Sequence, residues 1–548
     1  MIPFASRVRT ALRHLDFVFL LVAVALFVAT VCRLFNNVED DAFIPMRYGL
    51  NFWRGAGWVM NPGEHVEGCT SPLHLVLVTF LLRFCSPDQT LWAEKLLGLA
   101  IGTAVLVLTW RIGRPLLSSR WVAGVIPLLI ASRPEFAISM TNGLETGLAT
   151  LLVTAGAAAL ITARRGEDAD LRPSAWLFLG AALARPELAL TFPLLFLLLM
   201  PRGGPRRRGW AALACYCLPL LLCLGLRWLY YGAWVPNTYW AKHLPADIAF
   251  AMGLHYLEYF DLFGIPWLSL FFYGLGCFVL VRRQGPARIV LPVVIGLHLL
   301  FLLRSGGDWM VDGRFYVIML PLCTVLWGVA LDSLWRLAVR APPGAGAGHR
   351  IAAPLLAGTL VAGLAAALGG VSAHNAARLS ILAGMHSLTA SLGPHAPLEE
   401  WRCGNHEGRL AVGRWVAAHA RPGQTVLSSE MGLATVTNPA VRFLDIRGLT
   451  DSEIARMAGC PREINGIQGE RLWMADTQPL GRYLHGRHPE WVALIWDVYR
   501  SNLIGVENSN DLYVPAGVFP IYCDGRWLRV ATWRRRDIPN EALASCHN

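Results

Sequence analysis

Residues 17–41 read FVFLLVAVALFVATVCRLFNNVEDD. No charge interrupts the run from Phe17 to Cys32, and the run ends a few residues before two adjacent carboxylates, Asp40 and Asp41. A helix needs about 20 apolar residues to cross a bilayer, so the segment predicts a first membrane span whose exit carries paired acids. Arg7, Arg9 and Arg13 precede it, which points its start toward the cytoplasm. No small-residue cleavage site follows, so it reads as a retained anchor.

Composition extends this reading to most of the chain. Of 548 residues, 55% are hydrophobic and only 16% charged, against about 25% charged in soluble domains. Mean hydropathy is +0.44. Soluble enzyme, disordered and fibrous classes are excluded. The net charge of +11, from 48 basic and 37 acidic residues, sits in short arginine clusters between apolar runs, a pattern of membrane orientation and not of nucleic-acid binding. The 12 cysteines show no C-x-x-C or Cys/His spacing, so no zinc site is indicated. No G-x-G-x-x-G follows a strand and no G-x-x-x-x-G-K-[ST] occurs, which leaves nucleotide binding without support.

Apolar runs at 17–35, 91–110, 121–132, 144–163, 174–184, 188–200, 210–230, 262–281, 288–303, 315–336 and 351–372 predict an α-helical polytopic membrane protein of about 11 transmembrane helices. The run 72–84 is short and reads as a re-entrant or interfacial helix. With the N-terminus inside, every arginine cluster falls in the cytoplasm, including Arg111/Arg114/Arg120, Arg282/Arg283/Arg288 and Arg336/Arg340/Arg350. Residues 1–372 then form the membrane domain, with a first outward loop at about 36–90. Residues 373–548 have globular composition, and the strand-like pieces at 425–429, 491–496 and 527–533 predict a C-terminal α/β domain outside the membrane. Its Cys403, Cys460, Cys523 and Cys546 are either disulfide-bonded or free buried thiols.

Under this topology the outward loops hold nearly all the ionisable groups near the membrane, and such groups at membrane depth imply function. Asp40 and Asp41 suit a base for an acceptor hydroxyl, a cation site, or a helix end in water. Arg47, Arg133, Arg185, Lys242, Arg304 and Arg314 fall on the side that the positive-inside tendency disfavours, and they suit a phosphate. The alternative is structural pairing with Glu135, Glu145, Glu187, Asp308 or Asp312, with Arg185–Glu187 the foremost such pair. His65 and His243 are further polar candidates, and Trp53, Trp58, Trp234, Trp240 and Trp309 are candidates for stacking on a sugar.

The ordered motifs Asp40-Asp41-Ala42-Phe43-Ile44…Arg47-Tyr48, Asn61-Pro62-Gly63-Glu64…Val66-Glu67-Gly68-Cys69-Thr70-Ser71-Pro72, Asn142-Gly143-Leu144-Glu145-Thr146, Arg185-Pro186-Glu187, Pro236-Asn237-Thr238-Tyr239…Lys242 and Gly307-Asp308-Trp309…Gly313-Arg314 resemble the GT-C glycosyltransferases. Within these they are similar to the terminal arabinofuranosyltransferases of mycobacterial cell-wall assembly and their relatives. The likeness spans about residues 36–320, with a weaker echo at Asp445…Gly448-Leu449-Thr450-Asp451. Cys69 departs from the aromatic residue expected there.

The resemblance implies transfer of a sugar, arabinofuranose foremost, from a polyprenyl-phosphate donor to a glycan, lipid or protein acceptor of the cell envelope. It implies Asp40 as the catalytic carboxylate, with Asp41 supporting it or holding a divalent cation; no other cofactor is implied. Arg47, Lys242 and Arg314 are then the phosphate side. Glu67, Glu145, Asn237, Tyr239, His243, Asp308 and Trp309 are sugar or acceptor contacts. The implied location is a bacterial inner membrane, with the site and C-terminal domain on the periplasmic side. Aminoarabinose or a hexose as the sugar is the runner-up, and a lipid-linked sugar transporter is the competing class; it should show midplane charges and a repeat between halves, neither of which stands out.

Overall fold

The computed structural model describes residues 15–35, 37–162, 170–199, 207–257, 266–283, 285–308, 310, 313–339, 406–456, 478–495, 506–523 and 526–539. α1 (Leu15–Arg33) is followed by a 3-10 turn at Asp40–Ala42 and by α2 (Phe43–Trp53). Next come α3 (Pro72–Leu81), α4 (Pro87–Leu116), α5 (Arg120–Ala131), α6 (Pro134–Thr141), α7 (Thr146–Thr162) and α8 (Arg172–Ala184). A turn at Pro186–Leu188 leads to α9 (Thr191–Leu199), α10 (Arg207–Tyr231), α11 (Asn237–Ala241) and α12 (Ala246–Tyr256). α13 (Pro266–Val281), α14 (Ala287–Ser305), α15 (Arg314–Val317) and α16 (Leu320–Val339) complete the described bundle.

Local sequence sets several of these boundaries. Ser86 and Gln89 form a capping box at the start of α4, with Pro87 in its first turn. Ser71 caps α3, its hydroxyl accepting from the His74 amide at 3.2 Å. α5 and α6 form one apolar stretch bent by 63°. Pro134 has no amide to donate and holds Arg133 in extended backbone (φ −90, ψ 116), which breaks the helix there.

By length and composition, five described helices can cross a membrane: Leu15–Arg33, Pro87–Leu116, Arg208–Tyr231, Ala287–Ser305 and Leu320–Leu337. The bent α5–α6 pair makes a sixth. The remaining sequence-expected spans correspond to the shorter apolar helices α7, α8, α9 and α13, and 351–372 lies outside the described residues. The run at 72–84 forms only the 10-residue α3. On α10, Leu218, Leu221, Leu222, Leu226 and Leu229 are all more than half exposed, as suits a helix whose surroundings are lipid.

The two ends of the bundle differ. At one, buried Asp16 lies 3.3 Å from Arg114 and 3.5 Å from Arg120. Asp332 there accepts from the Ser118 and Ser119 amides and pairs with Arg336 at 3.2 Å. The other end carries the polar connections and the C-terminal domain.

That domain consists of α17 (His406–His419), β1 (Thr425–Ser428), α18 (Leu433–Thr437), β2 (Arg442–Asp445), α19 (Ser452–Arg456), α20 (Gln478–Arg487), β3 (Trp491–Ile495), β4 (Tyr513–Cys523) and β5 (Arg526–Arg535). The sheet order is β2-β1-β3-β5-β4; β2, β1 and β3 run parallel, and β5 is antiparallel to both β3 and β4. The expected strand pieces form β1, β3 and β5. The sequence reading missed β2, which is four residues long, and β4, whose Pro515 and Pro520 are tolerated because it is an edge strand. Cys403, Cys460 and Cys546 lie outside the described residues, as does the side chain of Cys523, and the disulfide expectation with them.

The domain and the first polar loop share one core. Ile44, Tyr48, Met60, Cys69 and Leu75 pack in the same apolar cluster as Val426, Phe443, Leu444, Trp491 and Leu494. Polar bonds reinforce it: Asn61 exchanges two hydrogen bonds with the Phe443 backbone at 2.6 and 3.0 Å. Arg47, 1% exposed, donates to the carbonyls of Met60 (3.1 Å), Thr435 (2.9 Å) and Val441 (3.1 Å). Burial holds its pKa below the usual arginine value, at about 10, with Arg54 adding to the effect. The resemblance made Arg47 a phosphate ligand; its guanidinium instead ties the loop to the C-terminal domain.

Arg47→Met should therefore remove three buried hydrogen bonds, although the Met60 carbonyl keeps its Asn51 donor at 2.9 Å, and cost about 3 kcal/mol. Thermal unfolding in detergent should show the loss.

Candidate active site

A cavity of about 530 Å³ lies where the polar end of the bundle meets the C-terminal domain. Asp41, Ser71, His74, Glu145, Arg185 and Glu187 line one side. Thr238, Tyr239, Lys242, Arg304, Asp308 and Arg314 line the other, and Ile446, Arg447, Leu449 and Ile454 close it from the C-terminal domain. The last group follows β2, so the carboxyl end of a parallel strand faces the cavity, where open α/β sheets commonly build sites.

Local backbone brings the acids together. Gly143 is left-handed (φ +81), and a Cβ there would lie 2.8 Å from that of Ala42. The Asn142-Gly143 turn can thus approach the acidic turn closely, with the Glu39 amide donating to the Asn142 carbonyl at 3.2 Å. Glu145 follows directly, outside any membrane-spanning segment.

Most charges in the cavity are paired. Arg185 donates to Glu145 and to Glu187, each at 2.7 Å, and lies 4.3 Å from the centre of the Phe315 ring. The Arg185–Glu187 pair follows the two-residue spacing read from sequence. Burial alone would raise the Glu145 carboxyl pKa, but Arg185, Arg314 and His74 outweigh burial and hold it at about 2. Arg314 pairs with Asp308. Burial opposes the charge on Arg314, yet Asp308, Glu145 and Asp41 raise its pKa above the usual value.

Asp41, Lys242 and Arg304 differ. The side chains of these three make no hydrogen bond or ion pair with another described residue, although all line the cavity. Lys242 is open to solvent through the cavity while protein surrounds it. Burial and nearby Arg314 lower its pKa, partly offset by Asp41 and Asp308. An unpaired carboxylate thus shares one hollow with two unpaired cations, an arrangement able to hold an anionic group and take up a proton nearby.

Of the residues to which the resemblance gives site roles, Asp41, Glu145, Tyr239, Lys242, His243, Asp308 and Arg314 line the cavity. Trp309 lies outside the described residues. Four others are placed elsewhere. Asp40 is buried and accepts from the Gly432 and Leu433 amides at 2.8 and 3.0 Å. Arg47 is the clamp described above. Glu67 pairs with Arg227 at 2.7 Å, and burial raises its carboxyl pKa despite that partner. Asn237 donates to the Gly448 and Leu449 carbonyls at 2.7 and 3.1 Å. None of these four lines the cavity: Asp40, Arg47 and Asn237 fasten the loops to the C-terminal domain, and Glu67 fastens its loop to α10.

Among the described tryptophans, Trp53, Trp58, Trp234 and Trp240 do not line it either, and His65 packs edge-on against Tyr230. Sequence reasoning missed His74, which bonds Glu94 at 2.8 Å, and Arg447. The echo around Asp445 was the only signal for Arg447. Among the described residues, no group of three or more His, Cys, Asp or Glu is arranged to hold a metal ion.

The Glu145 carboxyl titrates lower in the folded than in the unfolded protein, so its contribution to stability is complete above the ordinary carboxylate range and fades as pH falls from about 4.5 toward 2. Melting temperature followed over that range should fall more steeply for the wild type than for Glu145→Gln. Arg185→Ala, which leaves two buried carboxylates unpaired, should cost about 3–5 kcal/mol at neutral pH.

Residues 399–542 match a family model described as a domain of unknown function (DUF8728). The chain is 28% identical over 335 residues to a terminal β-(1→2)-arabinofuranosyltransferase of Corynebacterium glutamicum, covering 54% of this chain and 48% of the relative. It is 28% identical over 331 residues to the protein of the same description from Mycobacterium tuberculosis, covering 53% and 51%. A third relative, an undecaprenyl phosphate-α-4-amino-4-deoxy-L-arabinose arabinosyl transferase of Sodalis glossinidius, is 27% identical over 315 residues, covering 53% and 51%. The chain spans about half the length of the curated relatives it matches. Among solved structures, ArnT from Cupriavidus metallidurans bound to undecaprenyl phosphate aligns over 94% of this chain and 97% of its own, with TM-score 0.50 and 13% identity. The archaeal oligosaccharyltransferase AglB from Archaeoglobus fulgidus, in complex with an inhibitory peptide and a dolichol-phosphate, aligns over 96% and 75%, with TM-score 0.54 and 10% identity. The chain therefore has the fold of the GT-C membrane glycosyltransferases, and its sequence resembles the arabinofuranosyltransferases among them.

Proposed function

We propose that this protein transfers a sugar, arabinofuranose foremost, from a polyprenyl-phosphate donor to a hydroxyl of a cell-envelope acceptor. The observation that carries the reading is the cavity in which unpaired Asp41 faces the same space as unpaired Lys242 and Arg304. The similarity to arabinofuranosyltransferases and the lipid phosphates bound by the two solved relatives support it.

In this reading the donor phosphate lies against Lys242 and Arg304, with Arg314 behind them. The C1–O bond to phosphate breaks, polyprenyl phosphate departs, and the acceptor oxygen bonds to C1. Positive charge develops at the anomeric carbon while negative charge grows on the phosphate. The fixed cations stabilise the leaving group, and the Asp41 carboxylate stabilises the anomeric centre and receives the hydroxyl proton. Because a phosphate ester leaves readily, the residues mainly orient and neutralise. Tyr239, His243 and Glu145 line the same space and are the candidate sugar contacts. The ion pairs Arg185–Glu145 and Arg314–Asp308 hold this frame rigid.

The orientation we infer puts the cavity and the C-terminal domain on the periplasmic side of a bacterial inner membrane. Support comes from the arginines at the opposite end of the bundle, Arg114, Arg120 and Arg336 among them.

Purified protein incubated with a panel of synthetic polyprenyl-phospho-sugars and envelope acceptors should release polyprenyl phosphate from the arabinofuranosyl compound. Release from an aminoarabinosyl or hexosyl compound alone would reassign the sugar, and no release from any would defeat the enzyme reading. Asp41→Asn should lower transfer by ~10²–10⁴-fold with donor binding retained. Lys242→Ala should weaken donor binding by roughly ten-fold or more.

A further inference from the structure

We infer that the C-terminal domain, for which the matching family model gives no function, is a positioning element of the transfer site, and that Asp40 is the residue through which it acts. The inference rests on the reading of Asp41 as the reacting carboxylate and assigns its neighbour a separate task.

Asp40 and Asp41 share one short 3-10 turn, Asp40–Ala42. Backbone position in that turn fixes where the Asp41 side chain stands in the cavity. The turn is gripped from a segment nearly four hundred residues away: the Gly432 amide donates to Asp40 Oδ2 at 2.8 Å and the Leu433 amide to Oδ1 at 3.0 Å. Two N–H donors on two carboxylate oxygens define the position and the plane of the group, as a single bond would not. The approach is close enough to require glycine. A Cβ at Gly432 would lie 2.0 Å from the Asp40 carbonyl oxygen and 2.5 Å from its Cγ.

The gripping segment is itself fixed. It follows β1, and Arg47 from α2 donates to the Thr435 carbonyl within α18 and to the Val441 carbonyl just before β2. The loop after β2 is fastened in turn by Asn237, and its Arg447 and Leu449 form the cavity wall beside Asn237's neighbours Thr238 and Tyr239. The domain therefore meets the site at the acid turn and at the wall facing the proposed phosphate-binding loop. A displacement of about 1 Å in a reacting group costs on the order of 10²-fold in rate, so this grip bears on turnover more than on donor affinity, which rests on Lys242 and Arg304.

The test uses full-length protein and two variants that alter opposite sides of the contact: Asp40→Asn, which keeps the side-chain shape but sets an amide against two N–H donors, and Gly432→Ala, which adds one methyl on the domain side. For each, kcat and the affinity for polyprenyl phosphate are measured separately, with thermal melting as the check on folding. A drop of ~10²-fold in kcat with donor affinity within about two-fold of wild type, and a double variant no worse than the poorer single, supports positioning. Unchanged kcat in Asp40→Asn overturns it, as does parallel loss of kcat and donor affinity, the result of a merely structural contact. If Gly432→Ala fails to fold, Asp40→Asn decides alone. Should Asp41→Asn itself retain full transfer, the reading of the site fails instead, so the two failures are distinguishable.

Discussion

Ionised groups at the junction of an apolar bundle and a folded domain must find partners or a function, since neither lipid nor a packed core solvates them. This constraint organises the polar end of the molecule. Asp40 is satisfied by two backbone amides of the C-terminal domain, Arg47 by three carbonyls, Arg185 by two carboxylates, and Arg314 by Asp308. The Asp40, Arg47 and Arg185–Glu145 contacts join segments far apart in sequence, while Arg185–Glu187 and Arg314–Asp308 are local pairs. Removing one partner of such a set leaves a buried charge or dipole exposed to a poor solvent, which is why the junction behaves as a single unit.

Once those partners are matched, the remainder is informative. Asp41, Lys242 and Arg304 line the cavity without satisfying one another, and their charges suit a ligand that carries an anion and a reacting centre together. The paired residues around them act differently. Glu145, held ionised by Arg185, Arg314 and His74, keeps the local potential near Arg185 balanced. The apolar cluster shared by Tyr48, Met60, Phe443 and Trp491 holds the domain in place while the polar contacts set its register.

Much of this was legible in the chain itself. Apolar runs with proline and serine punctuation give most of the described helices, because span length and capping are local properties, and the strand-like pieces give three of the five strands. The motifs also named residues that meet in space: Asp41, Glu145, Lys242, Asp308 and Arg314 come from four separate stretches and line one cavity. The short strand β2 escaped notice because four residues carry too little pattern, and β4 because its prolines read as loop.

What the sequence determined, then, is which segments are apolar enough to sit in lipid and which loops carry ionisable groups. Tertiary structure alone decided which member of each polar group is spent on scaffolding. Asp40 and Asp41 are adjacent and chemically identical, yet consecutive side chains on a tight turn point in different directions. One meets the amides of Gly432 and Leu433, and the other meets the cavity. Arg47 and Arg314 divide in the same way. Sequence spacing records neither direction nor distant partner, and the hydrogen bonds that make this choice come from residues hundreds of positions away.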